Sequence, residues 1–335
     1  MPSNSKLATA VPVSASPTGD TKLLETRQKN LQQLVTIHFK NALRTVFLIL
    51  ILSFYSLTFS QTINPREFKY SLADSIALNI PKDSYQNIPE LATLLTKNLS
   101  TEHEKFRVIF RWITNNIVYS FSNRTDNAEI VFKKRKAVCA GYASLLKSLC
   151  DNVRIECKII AGNAKIYTKE IGFKFSKTDH AWNTVKINGI WYLVDATWAS
   201  GSYGQKFIKE YDNSYFLADP KFLILSHFPE DKRYQYIEPF CKKKDFIKYP
   251  ISYSDKISLI GKPIGKIKKK LNLKFMSTEN IKKITLAFET DKYSRKIEFK
   301  INEGYYEIGY TFKPTDKGGF TLFVDSKAVF GFVKK

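Results

Sequence analysis

The chain has 335 residues, 44% of them hydrophobic and 14% aromatic, ample for a core of about 150 residues and a second module. Its 53 Lys and Arg against 31 Asp and Glu give a net charge of +22 spread along the length, which suits a solvated basic surface or attraction to an anionic envelope surface or acidic substrate. Four cysteines and four histidines without CxxC or HxxxH spacing exclude a disulfide framework and argue against structural zinc; with no phosphate-binding glycine motif and no nucleic-acid motif, no cofactor, metal or nucleic acid is expected.

Residues 1–41 open with a Ser-, Ala-, Thr- and Pro-rich stretch that reads as disordered, followed by a long n-region. Lys40 and Arg44 then precede the uncharged run TVFLILILSFYSLTFSQ. Residues 42–60 read as a secretory h-region ending at the small Ser60, or as a retained signal anchor, although the apolar run is short of the roughly 20 residues of a spanning helix. Both readings export the remainder of the chain to the periplasm or the extracellular space. Between Gln61 and Pro89 the breakers Pro65, Pro81 and Pro89 predict an irregular lead-in. Asn87 followed by Leu91, Leu94 and Leu95 predicts a short helix ending near Asn98. Thr101 and Glu104 form a capping box that opens a second helix, with Phe106, Ile109, Phe110 and Ile113 as its buried stripe.

A basic loop, Lys133-Lys134-Arg135-Lys136, leads to Cys139. Tyr142, Leu145, Leu146 and Leu149 follow at the spacing of an amphipathic helix. Cys139 lies in the first turn of that helix, where free N–H groups and the positive end of the dipole favour a thiolate. Cys150 and Cys157 read as two buried thiols, with pairing as the alternative in an oxidising compartment. Further on, two apolar runs flank Asn188-Gly189, a dipeptide that predicts a type I′ hairpin because both central residues need positive φ. In that register Ile187 faces Ile190, Val185 faces Tyr192 and Trp182 faces Asp195. His180 is then diagonal to Asp195 at a Cβ separation of roughly 7 Å. Asn183 falls on the opposite face of the hairpin from His180, which favours Asp195 as its carboxylate partner.

A thiolate, an imidazole and a carboxylate are the set that acyl transfer requires: Cys139 attacks a carbonyl, His180 shuttles the proton and Asp195 fixes the tautomer. The backbone N–H of Cys139 is the leading oxyanion donor. Trp112 and Tyr119 are side-chain candidates for the same task, although an aromatic at helical spacing is more often part of the core. Tyr203, in the Gly201–Gly204 loop, and Trp182 are candidates for a substrate rim. His227, beside Phe228-Pro229, reads as a buried structural histidine. From Pro250 the pattern changes: KITLAFET, RKIEFKINE, YYEIGYTFKP, FTLFVDS and KAVFGFVKK are short β-type runs of a small antiparallel sandwich. Lys262 to Lys274 carries six lysines, as a face for an anionic surface or a guard against edge pairing.

These residues together resemble a known family. VCAGYASLLKSLC and DHAWNTVKINGIWYLVDATWASG resemble the transglutaminase-like superfamily. DNSYFLADPKFLILSHFPEDKRYQ and FRWITNNIVYSF are similar to the tail and the opening helix of its kyphoscoliosis peptidase-like branch, so that the likeness runs from residue 85 to residue 240. The resemblance implies an α+β, papain-like core over residues 61–249; the β-type runs beyond it make residues 250–335 a β-rich accessory domain. It implies Cys139 as nucleophile, His180 as base and Asp195 as orienter, acting on protein or peptide amides by hydrolysis or cross-linking. No acidic loop resembles the calcium site of animal transglutaminases. A non-catalytic envelope scaffold that keeps the cleft as a peptide-binding groove is the alternative.

Overall fold

A computed structural model of the chain describes residues 68–335 apart from Gln205, together with helical residues between 27 and 47. Residues 1–64 and 65–335 form separate units. In the first, the described residues are helical and exposed, and most of the 42–60 run lies outside the described residues. Among the described residues no helix is long and apolar enough to cross a membrane.

The second unit begins with helices α1 (Ser71–Asn79), α2 (Ile88–Thr96) and α3 (Glu102–Asn116). Asn87 caps α2 by accepting from the Glu90 N–H at 2.9 Å, and Thr101 and Glu104 close the expected capping box on α3. Helix α1 replaces the irregular lead-in that the prolines predict. Its buried stripe is only Ala73 and Ala77, too small to register as apolar periodicity. A bidentate pair between Asp74 and the buried Arg107 of α3, at 2.6 and 2.8 Å, holds it in place, a geometry suited to a desolvated carboxylate and guanidinium.

Helix α4 (Ala128–Lys134) and then α5 (Cys139–Asn152) complete the helical layer. Helix α5 runs through the centre of the domain, packed on α2, α3 and α4 and on a four-stranded antiparallel sheet. That sheet contains β1 (Cys157–Ala164), β2 (His180–Ile187), β3 (Ile190–Val194) and β4 (His227–Pro229), in the spatial order β3-β2-β1-β4. The β2–β3 turn has φ of 49° at Asn188 and 82° at Gly189. Ile187 pairs with Ile190 and Val185 with Tyr192, the register read from the sequence. Gly162 stands opposite His180 on β1, where a Cβ would come within 2.3 Å of the Phe228 carbonyl and 2.5 Å of the Trp182 ring.

A second hydrophobic core lies between two further sheets. One is four-stranded, in the order Ile257–Leu259, Lys270–Ser277, Tyr305–Thr311, Phe299–Asn302; the other has Lys327–Lys334, Gly318–Val324 and Ile284–Phe288 at its centre. The single run RKIEFKINE divides between them, Arg295–Ile297 joining the second sheet and Phe299–Asn302 the first. The two cores are joined within one compact unit. Lys165, at the end of β1 and fully buried, donates to the Phe246 and Tyr249 carbonyls at 2.9 and 2.8 Å.

Candidate active site

The chain reaches Cys139 along a two-residue parallel bridge in which Tyr119 pairs with Ala137, and Val138 turns it into α5 as an extended N-cap. Cys139 is therefore the first helical residue, and its N–H lies outside the intrahelical ladder. Burial alone would push its thiol up. A hydrogen bond with His180, the imidazolium charge and the Ala181 N–H outweigh burial and hold the thiol below its ordinary value.

His180 is the first residue of β2, and its Nε2 lies 2.6 Å from Asp195 Oδ2, which leaves Nδ1 for the sulfur. The ring stacks on Trp182 at 5.8 Å with 23° between planes. Asp195 ends the β3 hairpin arm and caps the short helix Ala196–Ala199, its Oδ1 accepting from the N–H groups of Thr197 (2.7 Å) and Trp198 (3.0 Å). Burial would favour a neutral Asp195, but the His180 charge and the histidine hydrogen bonds overcome it and keep the carboxyl ionised. For His180 burial opposes the charged ring, and the adjacent Asp195 carboxylate and then Cys139 overcome that and raise it. The three groups thus favour a thiolate–imidazolium pair over a buried ionised carboxylate.

His227, read from the sequence as structural, is a second partner of that carboxylate. Strand β4 sets it opposite Ala164 on β1, two residues from the Gly162–His180 pairing on the other edge of the same strand. Its Nε2 lies 3.1 Å from Asp195 Oδ2 and its Nδ1 lies 2.8 Å from Ser226 Oγ. Burial lowers its basicity, so it is the neutral tautomer that donates from Nε2 to Asp195 and accepts from Ser226. The only sequence signal was a hydroxyl next to a histidine in SHFP. His180, Asp195 and His227 bring their donor atoms within 4.8 Å of one another, a grouping that can hold a cation. The 2.6 Å His180–Asp195 separation is that of a hydrogen bond, shorter than the roughly 3.3 Å between two ligands at 2.0 Å on a tetrahedral zinc.

The other site candidates divide. Tyr119 is half-buried and pairs with Ala137, two residues before Cys139, its phenol pushed up to about 12 by burial and then by the Cys139 charge, so it is a neutral O–H donor near the start of α5. Tyr203 is exposed on the hairpin formed by Gly201–Tyr203 and Phe207–Lys209. Trp112 is not at the cleft: it is fully buried, stacked on Phe132 with the Arg135 guanidinium 4.5 Å from its ring, because its helix turns that face to the core. Trp182 is not at the rim either. It is 1% exposed, its indole lying under His180 and edge-on to His227 at 5.2 Å. Asn183 bonds the Ala143 carbonyl of α5 at 3.0 Å, on the far side of the ribbon from His180. Cys150 and Cys157 are free and buried.

Residues 89–196 match the model of the transglutaminase-like superfamily, a span that starts in α2 and ends one residue past Asp195. The α+β region that brings Cys139, His180 and Asp195 together is a transglutaminase-like domain. Its relatives include human kyphoscoliosis peptidase, 34% identical over 162 residues that cover 45% of this chain and 24% of that protein. Hillarin of Drosophila melanogaster is 27% identical over 206 residues, covering 56% of this chain and 25% of that one. The chain thus spans a quarter of the length of these curated relatives. A solved chain from Cytophaga hutchinsonii, a candidate cysteine protease, is 27% identical with a TM-score of 0.28 over 33% of this chain and 36% of that one, an overlap too partial to bear on the fold.

Proposed function

We propose that the domain is a thiol enzyme that forms a thioester at Cys139 from a protein or peptide amide. The observation that carries this reading is one imidazole, His180, bonded at 2.6 Å to a buried, ionised Asp195 and acting on the Cys139 thiol, which it holds below its ordinary value. The Cys139 thiolate adds to the amide carbonyl carbon. The oxyanion that forms is met by the Cys139 N–H, with the Tyr119 hydroxyl as a second donor. The His180 imidazolium passes its proton to the departing amine nitrogen as the C–N bond breaks, leaving the acyl group on sulfur. Water then gives a proton to the neutral imidazole and attacks the thioester, which releases acid and regenerates the thiol; an amine in place of water gives a new amide. Water is always at hand, so hydrolysis is the leading outcome. His227 and the Thr197 and Trp198 N–H groups fix the Asp195 carboxylate plane, and through it the His180 ring.

The test is iodoacetamide labelling at near-neutral pH, read by mass spectrometry, followed by incubation with a peptide mixture and a primary amine. The expected result is rapid labelling at Cys139, lost in Cys139→Ala, together with cleavage, deamidation or amine incorporation that the same substitution abolishes. Labelling of Cys139 no faster than an ordinary thiol would remove the reading.

A further inference from the structure

An aromatic surface begins at the bridge that leads into the helix of Cys139 and faces outward. Past the bridge that seats Tyr119 next to Ala137, the chain presents Phe121, and the strand Gly201–Tyr203, paired with Phe207–Lys209, brings Tyr203 to meet it. The three rings form a closed triangle of edge contacts: Tyr119–Phe121 at 5.3 Å, Phe121–Tyr203 at 5.3 Å and Tyr119–Tyr203 at 5.8 Å. Rings packed this way in a core would be covered. Here Phe121 is 47% and Tyr203 41% exposed, whereas Tyr119 is half-buried and feels the Cys139 charge. The surface therefore runs inward from solvent to the strand that pairs with Ala137, two residues before Cys139.

The strand Phe207–Lys209, which pairs with the strand of Tyr203, is tied to the same region. Lys209, at its far end, donates to the Ile117 carbonyl at 3.1 Å and to that of Asn115, which ties it to the end of α3 and to the strand of Tyr119. Charge frames the patch on one side. The exposed Arg124 guanidinium lies over the Phe121 ring at 5.2 Å, and exposed Lys136 pairs with Val118 one residue before Tyr119. Uncovered apolar rings beside a reactive group mark a place where a partner supplies the missing cover. The cationic frame selects an acidic neighbour on that partner.

We propose that Tyr119, Phe121 and Tyr203 form a subsite for an aromatic or large aliphatic side chain close to the reacting amide of an extended substrate segment, with Arg124 receiving an acidic residue beside it. The proposal rests on the thiol-enzyme reading and narrows its substrate class to amides in apolar, acidic segments. One extended residue spans about 3.3 Å, so the side chain held by the triangle belongs to one of the few residues flanking the amide that Cys139 attacks.

The experiment uses the full chain and matched peptidyl vinyl sulfones that alkylate Cys139, with Phe or Gly near the warhead and Asp or Lys next to it. Each inactivation rate is divided by the iodoacetamide rate of the same variant, which removes differences in thiol reactivity. Wild type is expected to prefer Phe over Gly by about tenfold, the value of covering part of one aromatic ring. The double variant Phe121→Ala, Tyr203→Ala should lose that preference, and Arg124→Glu should turn a preference for Asp into one for Lys. Equal normalised rates for Phe and Gly in wild type, or a Phe preference that survives in the double variant, would overturn the subsite. A sluggish iodoacetamide reaction in wild type would instead remove the thiol-enzyme reading beneath it, so the two failures are told apart by which rate is low.

Discussion

Replacing Asp195 with Asn should leave the fold standing and take the chemistry away. The amide oxygen can still accept from the Thr197 and Trp198 N–H groups, now at 2.7 and 3.0 Å from Oδ1, so the cap of the short helix survives. The amide nitrogen then takes the place of Oδ2, where two imidazole nitrogens converge at 2.6 and 3.1 Å. It has two hydrogens, one for each ring, and both rings must turn acceptor at Nε2. His227 can comply, because the Ser226 hydroxyl at 2.8 Å can accept the proton that moves to Nδ1. His180 cannot comply without cost: its Nδ1–H now faces the sulfur, and the ring can no longer take the thiol proton. The charge-assisted bond lost is worth about 1.5–3 kcal/mol, or about 1–2 units at about 1.36 kcal/mol per unit. The midpoint of the pH profile for iodoacetamide alkylation should therefore move up by about 1–2 units, with rates below it about 10- to 100-fold slower. The melting temperature should fall by several degrees, at about 2–4 °C per kcal/mol for a domain of this size, with a cooperative transition retained. An unchanged alkylation profile in a folded Asp195→Asn protein would show that the carboxylate does not set the state of the thiol.

His227→Phe keeps a ring in the space bounded by Trp182 and Trp198, at 5.2 and 4.4 Å from the imidazole, but removes one of the two donors on Oδ2. Acylation of the folded protein should fall about tenfold, the lower end of a charge-assisted bond, and His227→Gln, which returns an N–H donor, should recover part of it. A role in packing alone would lower the melting temperature of both variants and leave the acylation rate of the folded fraction unmoved. At the junction of the two cores, burial lowers Lys165 from 10.5 to about 7, so between those values the unfolded chain holds a proton that the folded one has shed. Stability of the wild type relative to Lys165→Met should accordingly rise with pH across that window, as read by denaturant unfolding at several pH values; a flat or falling difference would mean that the lysine stays charged against the Phe246 and Tyr249 carbonyls.

The range of the forces involved decides which features a sequence discloses and which it hides. The Asn188-Gly189 turn, the Thr101–Glu104 capping box and the stripe behind Cys139 are set by neighbours within a few residues, and each stands where the pattern puts it. The His180–Asp195 meeting was legible because a tight turn fixes its own register, and register fixes which side chains share a face. His227 was not: it reaches Asp195 only because β4 pairs with β1, a contact between distant segments that no local pattern encodes. Helix α1 was hidden for a related reason, since its stabilising partner, Arg107, is 33 residues away. The two tryptophans show the ambiguity of an aromatic side chain: the rim reading failed at Trp182, and the core reading held at Trp112. An indole carries both a donor and a large apolar surface, and sequence alone does not say which governs; at Trp112 and Trp182 burial won, leaving both Nε1–H groups without a partner, and the outward aromatic role fell to Phe121 and Tyr203, whose rings have no such interior to fill.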